Sequence, residues 1–216
     1  MAYILGFTCA DGCIYHRTLS WELSNKFSSD KDLLKRFNMV LNSNYPIENR
    51  NKSVRLRIFS SEMISDLKKL GVIPNKIKIL SFPTVPERYL GHFIRGFLDG
   101  DGWIITMIRK HGGKEICVGF SNGSRDFMNG LVYNLGNTLR IRNFNLRERK
   151  KFTKKGDVAI TYQLEFYSDN AKRIIEFLYD GLNKENLFLK RKFKKQLTAR
   201  QFYEKTKKLN ILEKDG

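Results

Sequence analysis

Two carboxylates carry the chemistry this chain could do. Residues 4–12 read Ile-Leu-Gly-Phe-Thr-Cys-Ala-Asp-Gly, and residues 94–102 read Ile-Arg-Gly-Phe-Leu-Asp-Gly-Asp-Gly. Each run is apolar and helix-like, carries small residues four apart, and ends in Asp-Gly at Asp11 or Asp101. Small residues at i and i+4 share one helix face and let two backbones approach closely. Gly6 and Ala10 in one run and Gly96 and Gly100 in the other therefore define a helix interface. Packed together, the runs bring Asp11 and Asp101 out side by side. Two carboxylates at the negative ends of two helix dipoles repel each other unless they hold a cation. The spacing implies a divalent-metal site on a pseudo-twofold axis.

The elements that must position these groups also occur twice. After Asp11, Tyr15, Leu19, Trp21 and Leu23 alternate with His16, Thr18, Ser20, Glu22 and Ser24, which predicts a half-buried strand or hairpin with Tyr15 inward. Asp30 is suited to cap a helix whose Leu33, Leu34, Phe37, Val40 and Leu41 share a face. A hairpin ending in Val54–Ser60 follows, then a helix with Met63, Ile64, Leu67 and Leu70 inward, stopping at Gly71. The second half repeats this order. Strands run over Trp103–Lys110 and Glu115–Asn122, and a helix carries Phe127, Met128, Leu131, Val132 and Leu135. A hairpin then spans Arg140–Tyr167, and a helix ends at Gly181. The prediction is an α+β fold of two tandem αββαββα repeats with antiparallel, saddle-shaped sheets. The repeats occupy residues 1–82 and 83–216, with the joint near 72–92, where Pro74, Pro83 and Pro86 fall. A basic helix near Leu187–Leu209 closes the second repeat.

The totals restrict the partner. The 216 residues are 41% hydrophobic and 12% aromatic, which suits a folded globular protein. Forty Lys and Arg against 22 Asp and Glu leave +18, a balance suited to a polyanion. No run of eighteen apolar residues and no signal-peptide pattern is seen, so neither a membrane nor a secretory fate is expected. Cys9, Cys13 and Cys117 have no metal-ligand spacing and read as reduced thiols of an intracellular protein. Nucleic acid is the partner these features favour.

An antiparallel sheet can pack one face on helices and leave the other wet. The wet positions here are His16, Thr18, Ser20, Glu22, Arg55 and Arg57 in the first half, and Asn145, Arg147, Arg149, Thr161, Gln163 and Glu165 in the second. Arg pairs bidentately with guanine, and Gln, Asn and Glu read adenine or cytosine, so the mixture suits base readout in a major groove. Lys150-Lys151 and Lys154-Lys155 suit phosphates. A ten-residue strand spans ~33 Å against ~34 Å for one duplex turn, so two such sheets cover about twenty base pairs.

The duplicated Asp-Gly helices and the order of elements after each resemble the LAGLIDADG homing endonucleases in their monomeric, two-motif form. The resemblance implies a site-specific DNA endonuclease that makes a metal-dependent double-strand break with 3′ overhangs in a long asymmetric site. It implies Mg²⁺ held by Asp11 and Asp101 with the carbonyls of Ala10 and Gly100, Mn²⁺ or Ca²⁺ being able to substitute for binding. The earlier acidic position of the motif is Asp99 in the second half but Cys9 in the first, so Asp99 is expected to be structural. Family members place a lysine after each half's last helix. That implies Lys76 and Lys192, each able to order water and stabilise phosphoryl charge. Another family location falls just after the second strand, here Asn25-Lys26 and Asn122-Gly123, and the lysine missing at Gly123 implies unequal cutting of the two strands.

Duplex DNA is thus the expected partner of a monomer that is intracellular and on DNA, in a prokaryotic nucleoid or an organelle. Two alternatives share the fold: a maturase acting on its own intron RNA, and a non-cleaving DNA-binding regulator, which would be expected to have lost the carboxylates. A structural nucleic-acid binder would account for the charge but not for the duplicated helices.

Overall fold

The structure, a computed structural model, describes residues 1–26, 28–74, 79–108, 114–152 and 156–212. The first half runs α1 (Ala2–Asp11), β1 (Gly12–Tyr15), β2 (Thr18–Ser24), α2 (Ser28–Val40), β3 (Ile47–Asn49), β4 (Ser53–Phe59) and α3 (Ser61–Lys69). The second runs α4 (Glu87–Asp101), β5 (Gly102–Ile108), β6 (Lys114–Asn122), α5 (Arg125–Leu139), β7 (Leu146–Phe152), β8 (Val158–Tyr167) and α6 (Ser168–Tyr179), and α7 (Lys190–Leu212) closes it. Two four-stranded antiparallel sheets result, ordered β1-β2-β4-β3 and β5-β6-β8-β7. The element order and α+β class are those expected from the period-two and period-3.6 patterns.

Alternation decides which face each sheet buries. Leu19, Trp21 and Leu23 of β2 and Val54, Leu56 and Ile58 of β4 are buried, while Ser20, Glu22, Arg55 and Arg57 point the other way. In the second sheet Ile104, Ile116, Val118, Phe120, Leu164 and Phe166 face the core. Serine caps start two of the covering helices: Ser60 accepts from the Met63 amide at 3.1 Å, and Ser124 from the Phe127 amide at 3.3 Å. Trp21 Nε1 donates to Thr8 Oγ1 at 3.0 Å, which ties the first sheet to α1.

The halves are bound together beyond the motif helices. Arg36 of α2 donates to the carbonyls of Lys184 and Asn186 at 2.9 and 2.7 Å, and Lys190 pairs with Asp32 at 2.8 Å. Asp30 is a correction to the sequence reading. It lies inside the first turn of α2 rather than at its cap, is 1% exposed, and faces Arg191 Nε at 3.3 Å. The sequence pattern could not show that α7 packs over that turn. Tyr15 is a second correction. It is 70% exposed and Ile14 is buried, because the two-residue turn at His16 and Arg17 sets Tyr15 directly opposite Thr18, on the outer face. His16 itself is a turn residue with φ 50°, not a strand position.

Candidate metal centre and nucleic-acid interface

α1 and α4 cross in near-symmetric contact. A Cβ at Gly6 would overlap the Phe93 carbonyl oxygen and lie 3.0 Å from the Phe97 amide. One at Gly96 would overlap the Tyr3 carbonyl oxygen and lie 2.9 Å from the Phe7 amide. Nearer the C-terminal ends, a Cβ at Gly100 would run into the Ala10 side chain and lie 3.4 Å from Asp11 Oδ2. Backbone therefore meets backbone, and the last turns of the two helices abut. Both helices end in an extended glycine, Gly12 or Gly102, whose amide returns to the Thr8 or Leu98 carbonyl. Asp11 is exposed and Asp101 half-buried, at the same end of the pair.

Under these carboxylates lies a buried polar cluster that the sequence only partly revealed. Asp99 is 1% exposed, and its carboxylate accepts from Tyr3 Oη and the Leu189 amide, both at 2.7 Å, and from Tyr179 Oη at 3.4 Å. Burial raises its carboxyl above the usual range, against the pull of Lys192, Tyr3, the Leu189 amide and Arg95. Asp99 thus fastens α1, α6 and the approach to α7 onto α4, the structural part expected of it, and Cys9 is likewise buried at the matching place on α1. Arg95, one turn earlier, is 2% exposed. It donates to the carbonyls of Leu187 at 3.0 Å and Leu178 at 2.9 Å, and lies 5.5 Å from the centre of the Tyr3 ring. Nothing in an otherwise apolar run signalled that this arginine would be internal.

Lys192 reaches the site from α7. Its ammonium donates to the carbonyl oxygens of Leu98, of Asp99 at 2.8 Å and of Gly102 at 2.7 Å, and it stands 3.5 Å from that of Gly100. A cation placed on the last carbonyls of a helix offsets its negative end. Burial pushes its pKa down to about 8, opposed by Asp99, Asp11 and Asp101. Lys192 is thus a buried cap of α4 that also feels both site carboxylates. Lys192→Met would leave those carbonyls without their donor and Asp99 without its cation. Leaving buried acceptors without their donor costs ~1–3 kcal/mol, and more where a charge is involved, so chemical denaturation should show a loss of at least that size. A loss below about 1 kcal/mol, the scale of an exposed pair, would overturn the capping role. Lys76 lies outside the described residues.

The donors present fit a hard divalent cation. Among the described residues no group of three or more His, Cys, Asp and Glu gathers as a metal site. Mg²⁺, however, is usually bound through one or two carboxylates, with waters and substrate phosphates completing its sphere. Asp11 and Asp101 on abutting helix ends offer two, and the Ala10 and Gly100 carbonyls lie one residue behind them. A pocket of about 280 Å³ opens beside Asp101, lined also by Cys9, Ala10, Leu80, Ser121, Asn122, Gly123 and Thr161.

The outer sheet faces hold most of the other expected contacts. Thr18, Ser20 and Glu22 share a face with Arg55 and Arg57, and Arg147 and Arg149 stand opposite Gln163 and Thr161. Glu165 shares the β8 face with Gln163, and Asn145 is exposed just before β7. The charges are not independent. Arg55 Nε donates to Glu22 at 2.8 Å and Arg57 Nε to Glu48 at 2.8 Å. Hydrogen bonds from Ser53 and Arg55 hold the Glu22 carboxyl below its usual range. Glu48, absent from the sequence reading, thus holds the Nε edge of the Arg57 guanidinium.

Two expected contacts sit differently. Asn25 spends its amide on the Arg50 and Asn51 carbonyls at 3.4 and 3.0 Å, with Lys26 exposed beside it. Asn122 is buried and accepts from the Ser124 amide at 2.9 Å, so it holds the turn into α5 and lines the pocket instead of standing on the open sheet. Lys154 lies outside the described residues.

With the geometry in place, comparison with known proteins is specific. Residues 89–178 match the model of the family described as LAGLIDADG-like domain. No curated protein matches the chain in sequence. Solved structures do match in fold. One is the LAGLIDADG meganuclease I-AabMI bound to uncleaved DNA, with 13% identity, a TM-score of 0.58, and 95% of this chain and 96% of that chain covered. Another is the I-LtrWI LAGLIDADG homing endonuclease bound to target DNA, with 12% identity, a TM-score of 0.54, and 92% and 89% covered. Full-length DUF199/WhiA from Thermatoga maritima matches at 14% identity and a TM-score of 0.56, over 99% of this chain and 65% of that one. The fold is that of the two-motif LAGLIDADG proteins. The match to the LAGLIDADG-like model spans the second half from α4 to α6, and α1 with its sheet repeats that plan in the first half. Among the described residues no helix is long and apolar enough to cross a membrane.

Proposed function

We propose that this chain is a site-specific DNA endonuclease of the homing type, cutting both strands of a long asymmetric duplex and leaving 3′ overhangs. The observation that carries the reading is the pair of Asp-Gly helix ends, brought together by backbone contact at Gly6, Gly96 and Gly100. A fold held together only for binding has no need of two carboxylates at the negative ends of adjoining helices.

On this reading the repeats 1–82 and 83–216 each lay one sheet on the duplex, and a single chain forms the whole site. Side chains on the outer faces of β2, β4, β7 and β8 set the register, and the lysine pairs at 150–151 and 154–155 take phosphates. Asp11 and Asp101, with the carbonyls of Ala10 and Gly100, would hold Mg²⁺, with Mn²⁺ or Ca²⁺ able to take its place for binding. A divalent cation there supplies Lewis-acid stabilisation of the phosphoryl charge and eases deprotonation of the attacking water. Lys192 keeps the α4 end rigid and adds positive charge from behind.

The fold is shared with WhiA, so the fold alone does not separate cutting from binding. The carboxylates favour cutting over a non-cleaving regulator, and the same argument favours DNA cleavage over a purely RNA-directed maturase. Incubating the protein with a randomised duplex library and Mg²⁺, then sequencing cut ends, tests this. The expected result is one family of long sites cut on both strands with short 3′ extensions. Selection of a bound site that is never cut would support the regulator instead, and blunt or 5′-extended ends would refute the cutting geometry.

A further inference from the structure

We propose that the outer face of β5 reads thymine: Ile105 and Met107, flanked by Trp103, receive C5-methyl groups in the major groove of the half-site under the second sheet. This rests on the reading that the outer sheet faces meet the duplex. That sheet is polar and basic toward β7 and β8, where Arg147, Arg149 and Gln163 stand, but apolar along β5. Ile105 is 39% exposed, and Trp103 and Met107 are half-buried.

The patch is continuous, not a scatter of single residues. Register sets Trp103 opposite Gly119, Ile105 opposite Cys117 and Met107 opposite Glu115. A Cβ at Gly119 would lie 2.5 Å from Trp103 Nε1, so the indole lies across β6 where a side chain would otherwise stand. Cys117, on the same face, is fully buried, and its thiol is hydrogen-bonded with Trp103 and Tyr167.

The first sheet shows the same choice independently. Tyr15 occupies the register position of Ile105, three residues past the glycine that follows the motif helix, and it too is on the outer face and largely exposed. A wet sheet face normally carries polar groups at such positions. The half-buried Glu165, opposite Gly119, borders the patch and repels phosphate. In the major groove the apolar group on offer is the thymine methyl.

The test starts from a duplex selected by the full-length protein from a randomised library. Each thymine of that duplex is then replaced singly by deoxyuridine, which removes only the methyl. At one or two positions in the half-site under the second sheet, binding should weaken about fourfold, the factor for one buried methyl. Ile105→Ser should bring the thymine-to-uracil ratio there to one while leaving it unchanged elsewhere. A ratio of one at every thymine, or discrimination that survives Ile105→Ser, would overturn the strip while leaving DNA binding intact. So would an Ile105→Ser protein whose self-association changes but whose thymine-to-uracil ratio does not, since the patch would then serve a second copy. Failure to select any duplex would instead overturn the functional reading on which the strip depends.

Discussion

Asp11→Asn and Asp101→Asn are each expected to abolish double-strand cutting while leaving duplex binding within a few-fold of the unaltered protein. Asparagine keeps the size and shape of the side chain, so the abutting turns of α1 and α4 need not move. It removes the charge that holds a hard divalent cation, for which carboxylates are the dominant ligands. Losing one of two carboxylates from such a site should cost several kcal/mol of transition-state stabilisation, and each ~1.4 kcal/mol is a tenfold loss of rate. The fold should not suffer, because an anion at a helix C-terminus opposes the helix dipole. Cleavage of a selected site and binding to the same duplex in Ca²⁺ would be measured side by side. Cutting by both variants at the unaltered rate would reduce the aspartates to turn residues.

Gly96→Leu should have the largest effect on the fold and a still larger one on cutting. Even a bare Cβ at Gly96 overlaps the Tyr3 carbonyl oxygen, and that obstacle is backbone, so no rotamer change relieves it. α1 and α4 must separate. Overpacking a close contact costs ~1–3 kcal/mol or more. Separation also draws Asp11 away from Asp101 and disturbs the Tyr3–Asp99 hydrogen bond that spans the two helices. A misplacement near 1 Å can cost about a hundredfold in rate, so cutting should fall further than stability. On an exposed helix face, by contrast, leucine in place of glycine raises helix propensity. A Gly96→Leu protein that is more stable and cuts normally would refute the crossing.

Spacing along the chain determines one set of these features, and packing decides the other. The duplicated Gly–Ala and Gly–Gly helix faces, the two Asp-Gly ends, the buried row Leu19, Trp21 and Leu23 and the wet row Ser20, Glu22, Arg55 and Arg57 were all legible in the residues. Each depends only on a local period of two or 3.6. The stops of two helices also followed from nearby signals, the left-handed Gly71 and Gly181.

The places where the sequence misled are those decided by which segments meet across the fold. Tyr15 changed face because a two-residue turn, not a continuous strand, sets its partner. Asp30 was drawn inside by Arg191 from 161 positions away. Arg95 and Glu48 gave no signal at all, since a charged residue reveals its role only through the particular carbonyl or carboxylate it reaches. Periodicity is a property of the chain and can be read along it. The partners of a buried charge belong to the tertiary fold, because desolvation forces each such group to find a counterpart wherever packing puts one.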